Sequence, residues 1–256
     1  MKKLLNLLKN NLNVCVYGAF LVIELAFFIT FVSLDALGNN LSVSTNVKFF
    51  SILLCFALSA YQFYRFGNDG SAIFIAFLIT AVADTFLLVL ESYTLGITTF
   101  IFAQLIYFAR IYLTIGKKPI ISVISRICAV VIAIIILAKY ESLTFLTAAT
   151  SFYFINLLAN FVDSFLLIKI NRQYAIFTLG LLLFICCDVC VGLMNFEEVL
   201  GVEIPHSLFV FADIAAWIFY LPSQVLIVLS ARKAVYKTRN GALKDVNDSE
   251  GGVYEG

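Results

Sequence analysis

Two aspartates, Asp84 and Asp188, each stand alone inside a long apolar run, FLITAVADTFLLVL and LLLFICCDVCVGLM. A carboxylate at membrane depth is costly, so it must find a partner, take up a proton or face water. Groups that trade protons in this way serve as general acids, general bases or proton relays, and the pair is the first candidate for chemistry. Other polar residues fall in similar runs. Gln104 and Tyr107 share a helix face at spacing three, and Tyr220 and Gln224 do so at spacing four. Pro222 lies between the latter two. It cannot donate to the backbone, so it is expected to kink its helix and free the carbonyl of Ile218. Lys48 opens one apolar run, and Glu24 lies near the middle of another.

The plainer readings of these residues are structural. Intramembrane amides often only bridge helices, each contributing under about 1–2 kcal/mol. Gln104, Asn156 and Asn160 are read first in that way, and Asp163 as an interfacial ion-pair partner of Lys169 and Arg172, which follow it. Cys186, Cys187 and Cys190 surround Asp188, but the only histidine, His206, falls in a loop. These cysteines are therefore read as small packing residues, with no metal site and no disulfide framework. No GxSxG elbow, P-loop or HExxH stretch is present.

The elements that must position these groups follow from composition. Of 256 residues, 62% are hydrophobic and 13% charged, and the mean hydropathy is +1.00. Soluble domains carry about 25% charged residues, so the chain reads as an all-α polytopic membrane protein. A net charge of +1 supplies no basic field for nucleic acid. Eight spanning helices are expected over 14–34, 47–64, 72–90, 95–113, 120–138, 143–168, 174–196 and 208–230, separated by turn-rich breaks such as FGNDGS, TIGKKP and KINRQ. Residues 1–13 read as an interfacial segment, 14–232 as the transmembrane domain, and 233–256 as a polar, disordered tail. With both termini in the cytoplasm, 14 of the 17 lysines and arginines lie on that side, as the positive-inside rule requires. The third and seventh helices then run in the same direction. Asp84 is the thirteenth residue of its span and Asp188 the fifteenth, so their carboxyls are expected at similar depth, with Asp213 approaching that layer from the eighth helix.

The order of these residues resembles the YhhN-like (lysoplasmalogenase) family of eight-span membrane proteins. Lys48 in VKFFSILL is similar to the family's lysine at the start of an early span. The stretch ADTFLLVLESYTLGITTFIFAQLIYFARIY resembles its Gly-Asp segment followed by a His-x-x-Tyr-type helix. LGLLLFICCDVCVGL resembles its Gly-x-x-x-Phe-x-x-Ser-Asp segment, and WIFYLPSQVLIVLS its Tyr-Tyr-x-x-Gln-x-Leu-Ile ending. The likeness covers roughly residues 45 to 232. Ala83, Gln104, Cys187 and Leu221 stand where the family often has glycine, histidine, serine and tyrosine, and Phe49 where proline often follows the lysine.

The resemblance implies hydrolysis of the vinyl-ether bond of lysoplasmalogens to a fatty aldehyde and a glycerophospho-headgroup, without metal or cofactor. It implies a lysophospholipid partner and a multi-pass location, which we read as a bacterial cell membrane. Enol ethers are cleaved by protonating carbon and adding water to an oxocarbenium-like ion. Paired carboxyls suit that chemistry, as in glycosidases. Asp84 and Asp188 would divide the acid and base roles. Lys48 would meet the phosphate, and Gln104, Tyr107, Tyr220 and Gln224 would contact substrate. Two rival readings come from other classes. A carrier using the same aspartates as a proton relay would move substrate without turnover. A non-enzymatic lipid-binding protein would tolerate Asp84→Asn.

Overall fold

The structure is a computed structural model, and it describes residues 2–38, 41–115, 119–169, 173–195, 204–231, 235–237 and 243–245. Among the described residues, eight helices are long and apolar enough to cross a membrane. They are Asn13–Ala36, Ser42–Phe66, Asp69–Val89, Tyr93–Leu113, Ile120–Lys139, Phe145–Leu167, Tyr174–Met194 and His206–Leu229, the first to eighth spans below. Each coincides with an expected span to within a few residues. The chain is an all-α, multi-pass membrane protein. The first span continues a helix that already begins at Lys2, so the segment read as interfacial is joined to it without a break. Of the tail read as disordered, most lies outside the described residues. Its described part is a short antiparallel pair, Val235–Lys237 with Leu243–Asp245.

The second and third spans share one run of helical backbone, Leu41–Asp84. A straight helix would separate Phe56 from Phe74 by about 27 Å. Instead their rings stack at 5.5 Å, and Phe63 meets Phe74 at 5.3 Å. The chain therefore folds back on itself at the FGNDGS break. Gly70 permits the fold, because a Cβ there would lie 2.5 Å from the carbonyl oxygen of Gln62 and 3.3 Å from the Cα of Phe63. Both neighbours are backbone and cannot swing aside. Gly70→Ala is expected to lower the thermal midpoint of the purified protein by several degrees, measured by tryptophan fluorescence or differential scanning. An unchanged midpoint would show that the hairpin opens at no cost.

Lipid is as apolar as a leucine side chain, so helices in a bilayer associate through close packing and polar cross-links rather than the hydrophobic effect. Both devices are present. The seventh and eighth spans approach closely at Gly180, where a Cβ would meet Ile227 Cγ1 at 2.8 Å and the Ser223 carbonyl at 3.1 Å. Phe31, Ile52, Phe77, Phe177, Leu181 and Ile227 fill the interior. Polar cross-links join the ends. Arg110 reaches Asp69 at 2.7 Å and both the hydroxyl and the carbonyl of Ser230, tying the fourth helix to the third and eighth. The fifth span is the most peripheral, 11% buried against 50% for the eighth. It carries its large apolar side chains toward lipid, Ile121, Ile132 and Ile135 among them. Its polar side faces the sixth span.

Candidate active site

Asp84 closes the regular part of the third helix and is buried. The next five residues, Thr85–Val89, form a π-helical turn, a widening that occurs often at functional sites. Across the bundle Tyr220 donates its hydroxyl to Asp84 Oδ2 at 2.7 Å. Tyr220 comes from the proline-containing turn of the eighth helix, one turn before Gln224. Tyr220, read from the sequence as a substrate contact, thus touches Asp84 directly.

Asp188 has its own tyrosine. The hydroxyl of Tyr153, on the sixth helix, lies beside the Asp188 carboxyl. Asp188 Oδ2 is shielded from solvent and has no hydrogen-bond partner among the described residues. The two tyrosines are joined by rings. Phe100 packs 6.0 Å from Tyr153 and 6.5 Å from Tyr220, and Phe184 packs 6.4 Å and 5.4 Å from the same pair. Cys187 has both aspartates as electrostatic neighbours. The third and seventh helices thus bring Asp84 and Asp188 to one aromatic box, Asp84 held by the Tyr220 hydroxyl and Asp188 beside Tyr153. Rings edge-on to one another leave faces of negative potential, which attract a cation.

One turn from the box, toward the end of the bundle that carries Arg110 and Ser230, several buried polar atoms have no partner among the described residues. They are Thr80 Oγ1, Gln104 Nε2, Tyr107 Oη and Gln224 Oε1, with Gln62 Oε1 further along. An unsatisfied buried group costs about 1–3 kcal/mol, so native proteins rarely keep several without a use. Thr80 precedes Asp84 by one helical turn, Tyr107 is a neighbour of Thr80 and Arg110, and Gln224 follows Tyr220 by one turn. Three of the sequence-derived contact residues, Gln104, Tyr107 and Gln224, fall in this set, and Tyr220 is bound to Asp84.

Lys48 is placed differently from its expected role. The second helix begins at Leu41, so Lys48 lies about two turns inside it rather than opening it, and its ammonium is 2.8 Å from Asp35 and sits 4.7 Å from the Trp217 ring and 5.6 Å from Phe31. Asp35 also accepts from Ser44 at 2.5 Å. The charge is already matched by a carboxylate, which competes with any phosphate. Asp213 is exposed on the eighth helix and does not join the aspartate layer. Glu24 is buried and accepts from Ser51 and, at 3.5 Å, from Cys55, whose other acidic neighbour is Asp84. Asp163 pairs not with Lys169 but with Arg126 of the fifth helix at 2.7 Å. Arg172, the other partner read for Asp163, lies outside the described residues. Among the described residues no three His, Cys, Asp or Glu side chains converge on a metal position.

One contributor escaped the sequence, and one does more than was read from it. Tyr153 sits in SFYFINLL, where an aromatic residue reads as packing. Its spacing of three and seven from Asn156 and Asn160 is the signal that places all three on one face. Asn160 was read as a bridge. It is one, but it donates to the backbone oxygen of Gln104 at 2.9 Å and to its side-chain oxygen at 3.0 Å, which turns the Gln104 amide.

No curated protein and no solved structure matches the chain. The YhhN family model matches residues 43–231, which include every residue of the aromatic box and both aspartates, and the chain belongs to the YhhN family.

Proposed function

We propose that the protein is an integral-membrane hydrolase that cleaves the vinyl-ether bond of lysoplasmalogens. The observation that carries this reading is the meeting of two aspartates, one held by Tyr220 and one beside Tyr153, at one aromatic box inside the bundle. In the proposed reaction one carboxyl gives its proton to the vinyl carbon distant from oxygen. The double bond's electron pair forms the new C–H bond, and positive charge develops across the adjacent carbon and the ether oxygen. The faces of Phe100, Phe184 and Tyr153 stabilise that charge. The other carboxyl takes a proton from water as water adds to the cationic carbon, giving a hemiacetal. In the collapse of the hemiacetal that proton returns to the departing oxygen while the first carboxylate takes the proton of the hemiacetal hydroxyl, so a fatty aldehyde and the glycerophospho-alcohol are released and both carboxyls are restored. One water is consumed. Family membership supports this reading, and so do the single-tailed dimensions of the substrate, whose chain would lie along the apolar helix faces.

The test supplies purified protein with a lysoplasmalogen and, separately, with the saturated 1-O-alkyl analogue. Aldehyde is expected from the first alone, because the saturated ether has no carbon to protonate. No aldehyde from the vinyl ether overturns the proposal. Flux of intact lipid across proteoliposomes without turnover would favour a carrier.

A further inference from the structure

The peripheral fifth helix projects one charged side chain into the bundle. Arg126 is buried, with its guanidinium 4.5 Å from the Phe108 ring. Its Nε donates to Ser122 Oγ at 3.2 Å, Nη1 to Asn156 Oδ1 at 2.9 Å, and Nη2 to Asn160 Oδ1 at 3.0 Å and Asp163 Oδ2 at 2.7 Å. Guanidinium only donates, so both asparagines must turn their oxygens toward it. The Asn160 nitrogen then faces away, and it donates to Gln104 Oε1. That contact in turn commits the Gln104 oxygen. The remaining end of the amide, Nε2, is a buried donor with no partner among the described residues, on the turn after Phe100. Asn160 is thus held from both ends, its oxygen by the Arg126 cation and its nitrogen by the Gln104 backbone carbonyl at 2.9 Å, and in that orientation it sets the Gln104 side chain.

We infer that Arg126 is a positioning residue that, through Asn160, fixes Gln104 with its N–H groups facing the site, so that Gln104 binds an acceptor oxygen of the ligand. The inference rests on the lysolipid reading of the same site. The acceptor lies about one helical turn, roughly 5–6 Å, from the aromatic box. A phosphate oxygen and a glycerol hydroxyl both meet that description. A carboxylate at position 104 would still accept from Asn160 but has nothing to donate. A neutral imidazole accepts at one nitrogen and donates at the other.

The experiment measures binding of a tritiated saturated 1-O-alkyl lysophosphatidylethanolamine, and of the phosphate-free 1-O-alkylglycerol, to protein in nanodiscs. Gln104→Glu and Asn160→Asp are each expected to weaken the first probe about tenfold or more, and the double variant no further, since both remove one interaction. Gln104→His is expected to bind at least about fivefold more tightly than Gln104→Glu. Ser164→Ala, which removes the acceptor on the sixth helix for the Thr178 hydroxyl of the seventh, should stay within about twofold. If the alkylglycerol shows the same losses, the acceptor is a hydroxyl. If only the phospholipid does, it is the phosphate. Where Asn160→Asp does not fold, the Glu-against-His comparison at position 104 decides. Equal binding by Gln104→Glu and wild type overturns the inference, as does wild-type binding of neither probe. Intact binding losses without any aldehyde from the vinyl ether would sink the hydrolase reading and leave the positioning role standing.

Discussion

Asp84→Asn and Asp188→Asn, made separately, are each expected to lower aldehyde release from a lysoplasmalogen by about 10²–10⁴-fold, the range spanned by loss of a positioned proton-transfer group. Both substitutions keep size and polarity. Asparagine at 84 can still accept from Tyr220, which now donates to Asp84 at 2.7 Å, so the aromatic box should persist. What is removed is the exchangeable proton. Binding of the saturated analogue should therefore change far less than turnover, and the loss should appear in kcat rather than KM. The double variant should be little worse than either single one, because an acid without its base is already idle. Single-turnover aldehyde release in detergent micelles reads all four proteins. If Asp188→Asn keeps more than about a tenth of wild-type turnover, the two-carboxyl mechanism fails. The same result at Asp84 alone would leave Asp188, whose Oδ2 is uncommitted, as the sole proton carrier.

Much of this arrangement was legible in the sequence, and the parts that were not share a physical cause. Helix number and order came from apolar run lengths and from lysine and arginine placement, which are properties of single segments against a bilayer. Tyr220 was found because it shares a face with Gln224 beside Pro222, again a local pattern. Partner choice across the bundle is not local. Lys169 and Arg172 are six and nine residues from Asp163, yet the partner is Arg126, 37 residues back on a different helix. Lys48 looked free to meet phosphate because Asp35 appeared to belong to a loop. The first helix in fact runs to Ala36 and delivers that carboxylate to it. Tyr153 was hidden for another reason. In a chain with 26 phenylalanines and 12 tyrosines, one more ring carries no signal until its hydroxyl is seen beside Asp188.

The Arg126 cluster separates stability from function in a way that a charge swap can expose. Arg126→Leu strands the Asp163 carboxylate, which keeps its bond from Ser122 at 2.7 Å and its neighbour Tyr112 but no cation, and leaves the oxygens of Asn156 and Asn160 without theirs. Breaking a buried ion pair from one side costs about 3–5 kcal/mol, enough to lower the thermal midpoint by on the order of 10 °C. Replacing both partners removes the stranded charge. The double variant Arg126→Leu with Asp163→Leu is therefore expected to regain more than half of the lost stability, the remainder reflecting two unpaired amide oxygens. Ligand binding should stay impaired, because Asn160 then keeps its orientation only through the Gln104 backbone carbonyl and no cation holds its oxygen, so Gln104 is held less firmly with its nitrogen toward the site. Thermal unfolding and saturated-lipid binding on the same three samples test both halves. A double variant as unstable as the single one would mean that the fifth helix is held by packing rather than charge. A double variant that binds like wild type would mean that the Gln104 backbone carbonyl alone keeps Asn160 in place and that Arg126 has no positioning role. Stability restored with binding still lost is the outcome that only an amide relay set by Arg126 produces.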